Sequence, residues 1–121
     1  MDNATTTPIP VRIDDLEDYI TELRKNKADT VFISVEYPRQ AIQKDGKPAT
    51  YLAGIIKLTA FLNNRIYTHP QKVSEGVVET DEQAAAIQKT TEEQKAYIVK
   101  EFQKSFSGCN IIKGAIGIGI F

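Results

Sequence analysis

The sequence contains few of the residues from which common catalytic and metal sites are built. Its 121 residues include one cysteine and one histidine. A single cysteine, Cys109, cannot form an internal disulfide bond or a multi-cysteine zinc site. A single histidine, His69, excludes a multi-histidine metal cage and a histidine-based relay within one subunit. We therefore predict no catalytic residues, no metal site and no cofactor, and an enzyme is the less favoured class of function.

The chain also lacks a strong charge imbalance and a long apolar run. Fifteen Lys and Arg against 16 Asp and Glu give a net charge of −1, which excludes a globally basic nucleic-acid binder. The longest apolar run, Ile111 to Phe121, contains Lys113 and is too short to cross a bilayer as a helix. The amino terminus does not have the pattern of a signal peptide. We expect a cytoplasmic protein that does not bind membranes.

Composition predicts one globular domain. Hydrophobic residues make up 41% and charged residues 26%, which is ordinary for folded proteins. Residues 1–10 are rich in threonine and broken by Pro8 and Pro10, so we expect a flexible amino-terminal arm. Residues 11–121 are predicted to form a single α+β domain.

The first half of this domain predicts one helix followed by a meander. Apolar residues at helical spacing, with Asp14 and Glu17 as a capping box, predict a helix over about 14–26. Residues 30–37 alternate like a strand, and an Asp-Gly turn then leads to a second strand over about 50–62. Asn63-Asn64 is typical of a second tight turn, and a third strand should start at residue 65, stop near Pro70 and resume over 73–78.

The second half predicts helical structure followed by a last strand. Capping boxes at Thr80 and Thr91 predict helices over about 81–89 and 92–106, or one long bent helix. Residues 109–121 alternate bulky and small side chains, which predicts a strand with four buried isoleucines: Ile112, Ile116, Ile118 and Ile120. The order α-β-β-β-α(α)-β favours an α+β fold, an antiparallel β-meander with helices packed on one face.

Basic residues are concentrated in the predicted meander. From Arg39 to Lys72 there are six of them against one acid, so this region should carry positive potential. The simpler explanation is a solvated basic hairpin, because strand-edge lysines also prevent aggregation. With the neighbouring tyrosines, the candidate residues for binding a ligand or partner are Arg39, Lys44, Lys47, Tyr51, Lys57, Arg65, Tyr67 and Lys72.

Apolar residues occur on both predicted faces of the sheet. One set should face the helices: Val31, Ile33, Val35, Leu52, Ile56, Leu58 and Leu62. The opposite face still carries Phe32, Tyr51, Ile55, Phe61 and, by the same reasoning, Tyr67. Contiguous exposed apolar patches usually mark interfaces, so self-association through the sheet is predicted. The alternative is that the carboxyl-terminal helix or the amino-terminal arm covers the second face.

Three functions follow, in order of preference. The first is a non-enzymatic binding or adaptor protein that acts as a homo-oligomer and presents a basic β-hairpin to a protein or a small anionic ligand. The second is a nucleic-acid-binding protein that uses the basic sheet, with Tyr51 and Tyr67 as stacking residues. The third is a metal-dependent nuclease-like enzyme, although the Glu-x-Lys pattern of such nucleases occurs here at Glu93, in a predicted helix. We interpret His69 as a surface or turn residue and Cys109 as a buried, inert thiol.

Overall fold

A computed structural model describes residues 7–113 of the chain. These residues form two helices and six strands in one α+β arrangement. The elements in chain order are β1 (Ile9–Arg12), α1 (Leu16–Lys25), β2 (Thr30–Glu36), β3 (Arg39–Lys44), β4 (Lys47–Leu62), β5 (Arg65–Val78), α2 (Asp81–Ser105) and β6 (Asn110–Lys113).

The N-cap of the first helix lies one residue later than predicted. Asp15, not Asp14, is the N-cap, and its carboxylate accepts a hydrogen bond from the Asp18 backbone N–H. Asp14 instead pairs with Arg12 at 2.7 Å, which removes it from the helix terminus. After Lys25 the chain turns through Lys27, whose φ of 57° ends the helical conformation.

The second helix is continuous, which resolves the choice between one helix and two. Thr80 and Gln83 form the predicted capping box at its start. The second predicted box is not used, because Thr91 is fully buried and its hydroxyl donates to the Ile87 carbonyl within the helix, at 2.7 Å. In residues 7–113, neither helix is long and apolar enough to cross a membrane.

Both predicted tight turns are confirmed. Asp45 and Gly46 have φ values of 53° and 76°, and Asn63 and Asn64 have φ values of 51° and 60°. Positive φ at both central residues is the conformation that joins antiparallel strands through two residues. The two turns therefore fix the register of β3 on β4 and of β4 on β5.

The fifth strand continues through Pro70, where the sequence predicts an interruption. Pairing of β1 with β5 ends at Thr68, so Pro70 lies where that edge of β5 has no described neighbour. Proline is tolerated at such an edge because no ladder hydrogen bond is lost there. A bulge follows: Gly54 pairs with Ser74 and Ile55 with Lys72, which leaves Val73 as the extra residue.

The sheet is mixed, so the prediction of an antiparallel meander is correct only for its centre. The strand order is β1-β5-β4-β2-β6, and β3 pairs with the first half of β4. β1 runs parallel to β5, and β6 runs parallel to β2. The strand β1 takes residues 9 and 10, which were predicted to belong to the arm, because their backbone joins the ladder of β5.

The last strand has the opposite orientation from the one predicted. Ile111 pairs with Val31 and packs against the core, whereas Ile112 pairs with Phe32 and is 46% exposed. The prediction that Ile112 is buried was wrong because the face of a strand depends on its register with a distant partner. The predictions for Ile116, Ile118 and Ile120 fall outside the described residues.

One hydrophobic core lies between the sheet and both helices. Tyr19 and Leu23 of α1 and Ile98 and Phe102 of α2 pack on the same face of the sheet. The sheet residues in this core alternate along their strands, as expected for one covered face: Val31, Ile33, Ile56, Leu58, Ala60 and Tyr67. We call this the covered face and the opposite side the open face.

Candidate functional site

The open face consists of the alternate residues that point away from both helices. On β2, β6 and the paired parts of β4 and β5, these residues include Phe32, Ser34, Glu36, Ile55, Lys57, Thr59, Phe61, Ile66, Thr68 and Ile112. The register places them in cross-strand rows. The row at its centre runs from Thr68 through Thr59 and Phe32 to Ile112.

One end of the open face is apolar and partly exposed. Phe61 is 42% exposed and Ile112 46% exposed. Phe32 lies beside Phe61 in an edge-to-face arrangement with ring centroids 6.0 Å apart. Ile66 is half-buried next to them, in the row of Phe61. These four residues form an apolar cluster of the kind that marks an interface.

The middle of the open face combines polar and apolar side chains. A shallow groove of about 490 Å³ there is lined by Pro10, Ser34, Glu36, Lys57, Thr59, Ile66 and Thr68. Neither Lys57 nor Glu36 forms an ion pair with another residue in 7–113. The open face therefore offers one cation, one anion and the hydroxyl-bearing residues Ser34 and Thr68 near the apolar cluster, whereas Thr59 is buried.

A second groove lies on the covered side, beside the start of α2. Its volume is about 650 Å³, and it separates Arg39 of β3 from Ala84 and Ala85 of α2, with Leu52 and Val78 below. It exists because the first turns of α2 carry small residues where the later turns carry Ile98 and Phe102. Tyr37 lies near its far end, where its hydroxyl approaches Glu92 at 3.5 Å; burial and that carboxylate raise the pKa of Tyr37.

The predicted basic residues do not form one continuous surface. Lys44 pairs with Glu79 at 2.9 Å and Lys72 with Glu75 at 3.1 Å. Lys47 lies opposite Lys44 next to the turn. Arg39 forms a wall of the second groove, Lys57 lies in the middle of the open face and Arg65 at the start of β5.

The two predicted tyrosines lie on opposite faces. Tyr51 is half-buried on the open face, opposite Gln40 and Val77. Tyr67 is 2% exposed and lies in the core, so its prediction for the second face was wrong. The two-residue turn at 63–64 puts Tyr67 opposite Ala60, on the covered face, and this register could have been counted from the sequence. A buried Tyr67 cannot stack on a base.

His69 is a core residue, not a surface or turn residue. It is 1% exposed, because β5 continues past it and it shares the covered face with Tyr67. Its Nδ1–H donates to the Ile13 carbonyl at 2.9 Å, and its ring lies 5.7 Å from that of Tyr19. Its Nε2 is buried and has no hydrogen-bond partner in the part of the chain that the structure describes. The Tyr19 hydroxyl donates to the Tyr67 carbonyl, and burial raises the pKa of Tyr19.

The remaining candidates for chemistry are the thiol of Cys109 and possible metal-binding clusters. Cys109 is buried, as predicted, and burial together with Asp29 raises the pKa of its thiol, which lowers the fraction of reactive thiolate. Within residues 7–113, no three His, Cys, Asp or Glu side chains lie close enough together to hold a metal ion. The sequence matches no model of a known protein family and no curated protein.

Proposed function

We propose that the protein is a non-enzymatic binding protein that acts as a homo-oligomer through the open face of its sheet and presents its basic hairpin to a partner. The basic hairpin comprises β3, the turn at 45–46 and the first residues of β4. The observation that carries the proposal is the apolar cluster on the open face, where Phe61 and Ile112 retain more than two fifths of their accessible surface.

The occupant that we infer for the open face is a second copy of the chain. A two-fold interface brings the same patch together from both subunits, so the patch must complement itself. A face with charges of one sign would repel its copy. Here Lys57 and Glu36 lie in adjacent rows of the open face, so each subunit offers both partners of an ion pair.

The size of the open face supports the same inference. Strands lie about 4.8 Å apart and rise about 3.4 Å per residue, so seven-residue stretches of β2, β4 and β5 with the four residues each of β1 and β6 give a flat area of roughly 400 Å². Side-chain relief increases the accessible area further. Stable protein interfaces bury about 800 Å² on each partner, so the face is of the right order for a dimer.

Sedimentation of the full chain over a concentration series tests the proposal. We expect reversible association of the 13.5 kDa chain into dimers. Ile112→Lys should weaken association at least tenfold, because two lysines would be buried against an apolar surface. Tyr97→Lys is the matched control, since Tyr97 is 57% exposed but lies on α2, away from the open face. A monomer at all concentrations, or equal effects of both variants, would contradict the proposal.

The nucleic-acid alternative receives less support. Two of the six cations already pair with carboxylates, and one of the two proposed stacking residues is in the core. The steep salt dependence typical of phosphate neutralisation is therefore not expected.

A further inference from the structure

Several strand edges have no neighbouring strand in residues 7–113. Besides the outer edges of the four-residue strands β1 and β6, they include two edges that differ in how they are protected. One is the outer edge of β5 beyond Thr68. It carries Pro70, the bulge at Val73 and the ion pair of Lys72 with Glu75. Proline, bulges and charges are the features by which natural sheets prevent another strand from pairing with an edge. We expect this edge not to bind strands.

The outer edge of β3 has none of the backbone protections. Its six residues contain no proline and no bulge, and β4 is their only partner among the described residues. The Asp45-Gly46 turn makes Lys44 and Lys47 a hydrogen-bonded pair, so every second residue of β3 bonds to β4. The Ala53 N–H donates to the Pro38 carbonyl at 3.1 Å, which continues the same alternation.

The backbone groups of the intervening residues therefore point outward. These residues are Arg39, Ala41 and Gln43, and all three are exposed. Each has one N–H and one C=O directed away from β4, and their spacing matches the ladder of an added strand.

Charge indicates which strand would add. β3 contains Arg39 and Lys44 and no acid, and Arg39 forms no ion pair with another residue in 7–113. Lys44 already pairs with Glu79, so Arg39 is the cation of β3 that still lacks a carboxylate in residues 7–113. A second copy of β3 would bring no carboxylate to Arg39, which disfavours a second copy as the added strand. A strand with carboxylates would instead place one beside the Arg39 guanidinium, which binds carboxylates bidentately.

We propose that the edge of β3 is a docking site for an extended, acidic peptide segment of a partner protein, which adds to the sheet as a further strand. The inference rests on the proposed role as a binding protein but not on the dimer. It specifies the partner chemistry and the backbone groups that bind it.

Amide hydrogen exchange measured by NMR tests the docking directly. The probe is a blocked synthetic peptide that alternates Glu and Val. Without peptide, the amides of Gln40 and Ile42 should be protected and those of Ala41 and Gln43 should exchange rapidly. With peptide, exchange of Ala41 and Gln43 should slow at least tenfold. No slowing at saturating peptide would overturn the proposal, as would concentration-dependent protection without peptide, which would identify a second copy as the occupant.

Variants separate backbone pairing from charge. Ala41→Pro removes an outward N–H and should weaken peptide binding at least tenfold, whereas Ala41→Ser should not. Arg39→Glu leaves the backbone intact and should also weaken binding, and a peptide with Lys in place of Glu should bind at least tenfold more weakly. Equal binding by Ala41→Pro, or by the Lys peptide, would refute strand addition by an acidic segment.

The proposed dimer and the proposed docking site can be tested independently of each other. Ile112→Lys should leave peptide binding unchanged, and Ala41→Pro should leave sedimentation unchanged. Loss of dimerisation with retained peptide binding would remove only the open-face interface, and the reverse result would remove only the β3 site.

Discussion

The covered face and the open face are made by the same strands, yet they differ sharply in solvent exposure. Ile33 and Leu58 point to the covered face and are at most 1% exposed, whereas Phe61 and Ile112 on the other side retain 42% and 46%. Alternation along a strand assigns side chains to faces, but the two helices decide which face is buried. An apolar pattern on both sides of a strand thus predicts two contact surfaces, and the two helices cover one of them.

The strongest test of this difference is a truncation on the covered face. Phe102→Ala removes a fully buried ring from the centre of the core. We expect the free energy of unfolding to fall by about 3–5 kcal/mol, because the transfer free energy is lost and a cavity remains. Urea denaturation measures the change. A decrease in the free energy of unfolding below about 1 kcal/mol would mean that Phe102 of α2 contributes little to the core on the covered face.

A smaller effect is expected where α2 approaches the sheet most closely. Gly54 lies directly beneath Thr91, and a Cβ atom at position 54 would overlap the Thr91 hydroxyl. Gly54→Ala should lower stability by about 1–3 kcal/mol, because overpacking displaces the helix. Gly108→Ala is the control, since a Cβ there meets nothing within 4 Å. Equal melting temperatures for the two variants would contradict the close packing.

The smallest effect is expected on the open face. Ile112→Thr keeps a β-branched side chain but makes it shorter and more polar. At protein concentrations where the chain is monomeric, its free energy of unfolding should change by no more than about 0.5 kcal/mol, as at most surface positions. A loss comparable to that of Phe102→Ala would show that the open face is covered within the subunit.

Local patterns predicted the fold well where neighbouring residues determine it. The two turns and the faces of β2 and β4 depend on short stretches, and these predictions were correct. Ile112 was assigned to the wrong face because β6 takes its register from β2, far away in the chain. His69 was missed because Pro70 suggested a strand end, although proline at an edge does not interrupt a strand. Lys44 pairs with Glu79, a residue 35 positions away, so this neutralisation depends on how the strands pair and could not be read from composition.

The pairing of β2 with β6 has a consequence for the order in which the sheet forms. Thr30 pairs with Asn110, so this ladder closes a loop that contains most of the chain, whereas β4 and β5 close across two residues. Because loop closure costs entropy before contacts compensate it, the β4–β5 hairpin should form early and the β2–β6 pairing late. During synthesis, the edge of β2 should therefore stay unpaired by β6 until residues 110–113 have left the ribosome.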